Sequence, residues 1–502
     1  MGPPDAKRVM GPPDSRWTLG PPDARSRPPL CLHWPRLASH TAAGGCRCRL
    51  LRVATAGLVL LCLYYIIYTP WAFSWRAGDR SAPSGGHNSS APAVLVPTPD
   101  DVCIRWTAPA WPAQSGDDAT PLPPIAFLSG VKNPCWLQDL TQQSVEFLEK
   151  NCYANYTKNR SIFSKRAQRY RPFVSEPASV LRLRCLPYFY IVGQPKCGTT
   201  DLMHRISLHP HVLAGTLKGP NWWTRARFPL QPGQASHCGR QVAFQEYVDS
   251  FEMVAAQLAG ADCGGGRPGA PWTPASRMIT GDGSTSTLWG GVAHRAAREA
   301  GLTMFPPLGR SVAAGLARLQ PRARIIVILR EPGDRLFSDY LYFNADLDKE
   351  KNADGFHNLT LEAVAIWNNC TTFRSVDDCV TDRSVLLSFG IVRLHVGLYA
   401  VHLRQWLETF PRPNILVLRT EDYSRNVNHS MLQVYQHLDL APPSEQDMRL
   451  VNSARVLNAR RTNLQRMQML AETRQLLTDF YRPHNERLAV LLGSQRFLWE
   501  DT

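Results

Sequence analysis

The chain is 502 residues long and carries 56 Lys and Arg against 41 Asp and Glu, a formal charge of +15. That length can bury a large core and allows two to four domains. The charge points away from basic partners and toward acidic ones (nucleic acid, anionic lipid or an acidic polymer of the secretory pathway), and it bears on partners, not on fold.

Residues 1–52 open with a nine-residue repeat, "MGPPDAKRV", "MGPPDSRWT", "LGPPDARSR". Such units cannot build a core, and the segment reads as a disordered cytoplasmic tail. Residues 53–68, "VATAGLVLLCLYYIIY", hold no charge, and "TPWAF" prolongs the apolar character to Phe73. This is about the 20 residues that a membrane-spanning helix needs. A cleaved signal peptide would have a shorter apolar core behind a short basic start. Residues 53–73 therefore read as a transmembrane signal anchor. Arg47, Arg49 and Arg52 just before it keep the amino terminus cytoplasmic. The expected topology is single-pass type II, with the bulk of the chain lumenal.

Sequons stand at Asn88, Asn155, Asn159, Asn358, Asn369 and Asn428, all beyond the span. Nine of the 13 cysteines also lie beyond it, as suits an oxidising compartment. Cys370 and Cys379, nine apart, are the best candidate pair. Pairings among Cys103, Cys135, Cys152, Cys185, Cys238 and Cys263 stay open, and Cys197 reads as a free thiol. Residues 74–126 contain most of the ten prolines between Pro70 and Pro124 and read as a stem. Residues 127–502 then form the lumenal domain, starting between Phe127 and Cys135.

Within it, short apolar runs alternate with helical patterns. "YFYIV" (188–192), "RMIT" (277–280), "RIIVIL" (324–329) and "NILVL" (414–418) are strand candidates. Between the first two lies "AFQEYVDSFEMVAAQLAG", whose Phe244, Tyr247, Val248, Phe251, Val254 and Leu258 have the spacing of a core-facing helix stripe. The alternation predicts an α/β fold with a largely parallel sheet. Ligands on such sheets bind beyond the carboxyl ends of the strands.

At one such end stands "GQPKCGTT", residues 193–200. A glycine-bearing turn between strand and helix presents backbone N–H groups and the positive end of a helix dipole, which attract phosphate. The common nucleotide loop needs Gly-X4-Gly-Lys-Ser/Thr. Here Gly193 and Gly198 have that spacing, but Thr199 follows and the lysine sits inside the loop at position 196. The displaced lysine and the lack of an aspartate-based magnesium motif argue against an ATP-using kinase. A second basic strand end follows in "RIIVILREPGDRLFSDY", where Arg330 offers a fork to phosphate and Ser338 lies eight residues on, in the next helix.

Together these stretches resemble the carbohydrate sulfotransferase family that uses 3′-phosphoadenosine 5′-phosphosulfate. "RLRCLPYFYIVGQPKCGTTDL", "WWTRARF", "SDYLYF", "RLHVGLYAVHLRQWL", "LNARR" and "DFYRPHNERLA" are similar to its Golgi branch that 6-O-sulfates N-acetylgalactosamine 4-sulfate in chondroitin and dermatan sulfate. The resemblance covers roughly residues 180–500. It implies a P-loop-like three-layer sulfotransferase fold, an acidic glycosaminoglycan substrate rather than nucleic acid, and no metal.

Residue by residue, it implies that Lys196, Cys197, Gly198, Thr199 and Thr200 hold the 5′-phosphosulfate, with Lys196 also catalytic. Arg330 and Ser338 would hold the 3′-phosphate, and Arg460 and Arg461 would lie on a basic loop over the cofactor. Lys218, Trp222 and Trp223 would face the acceptor, with core packing the competing reading for the two tryptophans. Cys370 and Cys379 match the family's short disulfide hairpin.

One position departs from the family. Where relatives read Lys-Glu-Pro, with the glutamate as proposed general base, this chain reads "LKGPNWW", with Gly219 in its place. A positioned base is worth roughly 10²–10⁴ in rate. Asp282 in "ITGDGSTS" is the expected substitute, with His204 and His209 as lesser candidates. The alternative function is a cofactor- and glycan-binding Golgi protein that turns over weakly or not at all.

Overall fold

The computed structural model describes residues 125–155, 160–174, 181–215, 217–229, 239–261, 277–343, 351–457 and 467–500. The predicted tail, anchor and stem, the sequons Asn88 and Asn159, the basic pair Arg460–Arg461, and Cys103, Cys238 and Cys263 lie outside the described residues. Among the described residues, no helix is long and apolar enough to cross a membrane.

The central sheet is built from β3 (Phe189–Gly193), β4 (Gly281–Asp282), β5 (Arg324–Leu329) and β6 (Ile415–Arg419). All neighbours pair in parallel, in the order β4-β3-β5-β6. β5 is a run of β-branched and leucine residues because both of its faces are covered. The two-residue period sends Tyr190, Val192, Ile325, Val327 and Leu329 into one core. It sends Phe189, Ile191, Ile326 and Ile328 into the other. Helix Thr199–Ile206 and helix Val427–His437 pack against the second core. The first is closed by residues of helix Phe244–Asp249, helix Val312–Leu319 and helix Tyr399–Leu407. The parallel three-layer arrangement expected from the alternating pattern is what forms.

Two elements differ from expectation. The stripe from Phe244 to Leu258 is buried throughout, but it is carried by two helices, Phe244–Asp249 and Glu252–Ala261, with a turn between them. The run 277–280 is not a strand. Ile279 instead exchanges backbone hydrogen bonds with His211 and Leu213, forming an isolated parallel bridge to Val212. The sheet takes Gly281–Asp282 in its place, and a Cβ at Gly281 would lie 2.2 Å from the Phe189 ring. Only glycine lets β4 approach β3 there.

Ahead of the sheet, β1 (Cys135–Asp139) and β2 (Leu181–Cys185) form an antiparallel pair. Cys135–Cys185 bridges the two strands, and Cys370–Cys379 closes the predicted nine-residue hairpin. Buried charges brace the pair. Asp249 accepts from Arg182 and Arg184, and Arg182 also reaches Glu252 at 2.6 Å.

Candidate active site

Every strand of the parallel sheet delivers its carboxyl end to one edge. β3 ends at Gly193, after which the Gln194 N–H donates to the Ile328 carbonyl of β5 (2.9 Å) and its side chain to the Val396 carbonyl (2.9 Å). The loop then turns through two left-handed residues, Lys196 (φ +68°) and Gly198 (φ +84°), before the helix starts at Thr199. Glycine adopts that conformation freely; a lysine there is the kind of strained residue that clusters at ligand clamps. The hydroxyl of Thr420, just past β6, lies 2.9 Å from the carbonyls of both Cys197 and Leu329, tying the loop to the end of β5. The Cys197 thiol is free and buried, and burial pushes its pKa up to about 12. It is a protonated packing group, not a nucleophile.

The sequence placed Lys218 with the acceptor. Instead it reaches into the loop, its Nζ donating to Thr200 Oγ1 (2.9 Å) and Thr199 Oγ1 (3.1 Å). Each hydroxyl accepts from the lysine and so keeps its own proton to offer a ligand. Burial, assisted by the charge of Lys196, pulls the Lys218 pKa down to about 8 against the opposing pull of Asp282. Lys196, Lys218, Thr199, Thr200 and the first N–H groups of helix Thr199–Ile206 therefore share one small anion-seeking volume.

Asp282 does not occupy the position expected of a general base. It is 1% exposed. One carboxylate oxygen accepts from the Ser284 N–H (2.8 Å) and the other from the Tyr247 hydroxyl (2.9 Å). Burial raises its pKa to about 6. An acceptor hydroxyl must lie within hydrogen-bond reach of its base, so this geometry gives Asp282 an electrostatic role behind Lys218. His209 is occupied as well, lying 3.0 Å from the Ala441 carbonyl and accepting from the His211 N–H. His204 is half-buried on the helix, with no hydrogen bond to the loop.

Arg330 stands just past β5, where Nη2 meets Asp334 (3.4 Å) and its carbonyl accepts from Tyr399 (2.8 Å). Ser338 is half-buried on helix Pro332–Tyr342. Arg474, not singled out in the sequence, donates to the same Asp334 carboxylate (3.0 Å), which sets a second guanidinium beside Arg330. Tyr342 ends that helix with its ring 3.6 Å from Lys196 Nζ. The stretch "SDYLYF" contained it, but nothing in one sequence tells an exposed tyrosine from a packed one.

Trp222 and Trp223 do not line a cleft. Both are 1% exposed. Trp222 stacks on Tyr247 at 4.9 Å and donates its indole N–H to the Val242 carbonyl, so the pair is core. The asparagines of three sequons, Asn358, Asn369 and Asn428, are exposed.

A Sulfotransferase domain family matches residues 313–482, downstream of the Lys196 loop. The chain is 37% identical over 384 residues to "Carbohydrate sulfotransferase 15" of Homo sapiens, covering 76% of this chain and 67% of that protein. It is 36% identical, with the same coverage, to the protein of that name in Rattus norvegicus. Among solved structures, a sulfotransferase from Alicyclobacillus acidocaldarius aligns with 62% of this chain and 97% of its own, at 20% identity and a TM-score of 0.39.

Gly219 has a structural cause. A Cβ there would lie 2.9 Å from the Gly283 carbonyl oxygen and 3.0 Å from Ser284 Cα, both backbone. Gly283 in turn donates its N–H to the Lys218 carbonyl (2.7 Å). Gly219→Ala is expected to destabilise the protein by about 1–3 kcal/mol in denaturant unfolding, as overpacking does, and Gly219→Glu by no less. An alanine variant as stable as wild type would show that the 218–219 and 283–284 segments separate at no cost.

Proposed function

This chain belongs to the carbohydrate sulfotransferase family, and we propose that it transfers a sulfuryl group from 3′-phosphoadenosine 5′-phosphosulfate to a glycosaminoglycan hydroxyl. The acceptor in this reading is the 6-hydroxyl of N-acetylgalactosamine 4-sulfate in chondroitin or dermatan sulfate. The observation that carries it is the meeting of Lys196, Lys218 and two threonine hydroxyls at a helix N-terminus. That donor set fits a phosphosulfate, and Arg330 with Arg474 beside it fits a second phosphate.

When bound, the nucleotide supplies an activated sulfuryl group on a phosphate leaving group. The acceptor oxygen would bond to sulfur as the bond from sulfur to the bridging oxygen breaks, with the electron pair leaving on the phosphate and the hydroxyl proton passing to solvent water. Lys196 and the helix N–H groups meet the charge that gathers on the bridging oxygen. Lys218 holds Thr199 and Thr200 so that both hydroxyls donate outward. Asp282 sustains the charge of Lys218 from below.

Transfer of labelled sulfate to 4-sulfated chondroitin tests the assignment, and no transfer to any chondroitin would overturn it. Lys196→Ala and Arg330→Ala are each expected to weaken adenosine 3′,5′-bisphosphate binding about tenfold to a hundredfold by calorimetry, the loss of a charged hydrogen-bond partner. Unchanged affinity in both would remove the cofactor assignment.

The affinity should also depend on pH. Lys218, with its pKa lowered to about 8, loses its charge as the pH rises through that value in the free protein, and a bound phosphate favours the ammonium. Binding therefore takes up a proton above that pH. Affinity is expected to be flat between about pH 7, above the second phosphate ionisation near 6, and about pH 8, and to fall by up to tenfold per unit above that. Lys218→Arg should flatten the fall. Asp282→Asn, which removes a neighbouring anion, should move the break to lower pH. A flat wild-type profile would take Lys218 out of the phosphate site.

We place the chain in the Golgi membrane as a single-pass type II protein, supported by the uncharged run 53–73 behind Arg47, Arg49 and Arg52. The disulfides Cys135–Cys185 and Cys370–Cys379 among the described residues, and the exposed Asn358, Asn369 and Asn428, suit a lumenal domain. In sealed microsomes the carboxyl-terminal part is expected to carry endoglycosidase-sensitive glycans and to resist added protease. Its digestion from the cytoplasmic side would overturn the topology.

A further inference from the structure

A ladder of alternating cations and aromatic rings runs outward from the transfer site. Lys196 Nζ sits 3.6 Å from the centre of the Tyr342 ring, and Tyr342 packs edge-on to Phe343 at 4.9 Å. The Arg393 guanidinium lies 4.5 Å from Phe343 and 5.5 Å from Trp289. Arg225 lies 6.0 Å from the same indole. Tyr342 is 55% and Phe343 40% exposed, so two adjacent rings stand open beside the cations.

The charges along this ladder are not balanced. Arg393 grips Asp339 with two hydrogen bonds (2.6 and 3.0 Å), but that carboxylate also accepts from the buried Arg335 at 3.1 Å. One anion thus serves two guanidiniums. Arg225 is exposed and has no hydrogen bond or ion pair from its side chain among the described residues. Arg225 and Arg393 lie 6.0 and 5.5 Å from the one Trp289 ring, so the two guanidiniums share it. Two like charges held beside one ring call for an anion between them.

We propose that Arg225 and Arg393, with Trp289 between them, form a subsite for a sulfate or carboxylate of the acceptor glycan, and that Phe343 and Tyr342 carry the intervening sugar toward Lys196. This rests on the acceptor class given under Proposed function. The chemistry suits a sugar polymer with regularly spaced anions: guanidinium forks take sulfate or carboxylate oxygens in pairs, and the ring faces take the apolar faces of pyranoses. It also accounts for the exposure of Tyr342 and Phe343. The nucleotide does not need this strip, since its phosphates are met at Lys196, Lys218 and Arg330.

Arg225→Gln is the variant of choice, because Arg393 also braces a buried carboxylate. Binding of a chondroitin 4-sulfate oligosaccharide, measured by calorimetry with adenosine 3′,5′-bisphosphate present, should weaken about tenfold to a hundredfold. KM for chondroitin sulfate should rise in step, while affinity for the bisphosphate stays at the wild-type value and shows that the fold is intact. Arg225→Lys, which keeps the charge but loses the fork, should fall between. If the wild type transfers sulfate and Arg225→Gln keeps its KM and oligosaccharide affinity, the subsite is wrong and the acceptor assignment stands. If the wild type transfers nothing to chondroitin, the acceptor assignment fails. The subsite is then upheld if Arg225→Gln weakens oligosaccharide binding, and overturned if it does not or if the wild type does not bind.

Discussion

The site depends on the parallel pairing of β3 with β5. In that register Ile191 lies beside Ile326 and Gly193 beside Val327. Both chains therefore leave the sheet at the same edge, one into the Lys196 loop and the other into Arg330. An antiparallel neighbour would have sent the arginine to the opposite end. The cost falls on Lys218, whose pKa is lowered to about 8 chiefly by burial at this edge and further by the charge of Lys196. The surrounding core holds that arrangement in place: β5 is completely buried from Ile325 to Leu329, and Thr420 pins the loop to it. An anion entering this edge gains from charges already assembled, with no rearrangement to drive.

A second constraint acts through backbone contact. Lys218 can reach the two threonines because its carbonyl is held by the Gly283 N–H, with Gly219 lying directly on that residue. A Cβ at Gly283 would likewise lie 2.9 Å from the Lys218 carbonyl oxygen. Two glycines facing each other allow the lysine's segment to sit low enough for Nζ to arrive at 2.9 and 3.1 Å. The same approach leaves no room for the glutamate that the family pattern carries at position 219. In this chain, glycine at position 219 and the close approach of the two segments therefore go together.

The parts of this molecule legible in its sequence are those set by local chemistry. β5 is legible to the residue because five consecutive apolar positions behind Arg324, between turn signals, admit few alternatives. The loop was legible because a glycine-lysine-threonine cluster between strand and helix has few other uses. The run 277–280 was misplaced because pairing with residues 211–213 is a tertiary event that no local pattern records. Trp222 and Trp223 were ambiguous for a related reason: an aromatic pair has the same letters whether it faces sugar or the stack of Tyr247. Asp282 had a suitable position at a strand end, but its burial under Lys218 depends on Tyr247, 35 residues away. The cation–aromatic ladder could not be read at all, since it assembles five separate segments.

These features bear on how such a site works without a carboxylate at position 219. The carboxyl group behind Lys218, Asp282, is sealed and holds two hydrogen bonds. Its effect on the reaction passes through the charge of Lys218, not through contact with the acceptor. The remaining levers are charge placed where the leaving oxygen becomes negative, and an acceptor held in line with it. The first is supplied by Lys196 and the helix N-terminus. The second requires the acceptor to be gripped away from the reacting hydroxyl, and orientation of that kind is worth up to roughly 7–11 kcal/mol when the geometry is good. The proposed strip of rings and guanidiniums leading to Lys196 is suited to that task. The more of the barrier that orientation removes, the less the reaction needs a strong base, and this is the balance that a glycine at position 219 imposes.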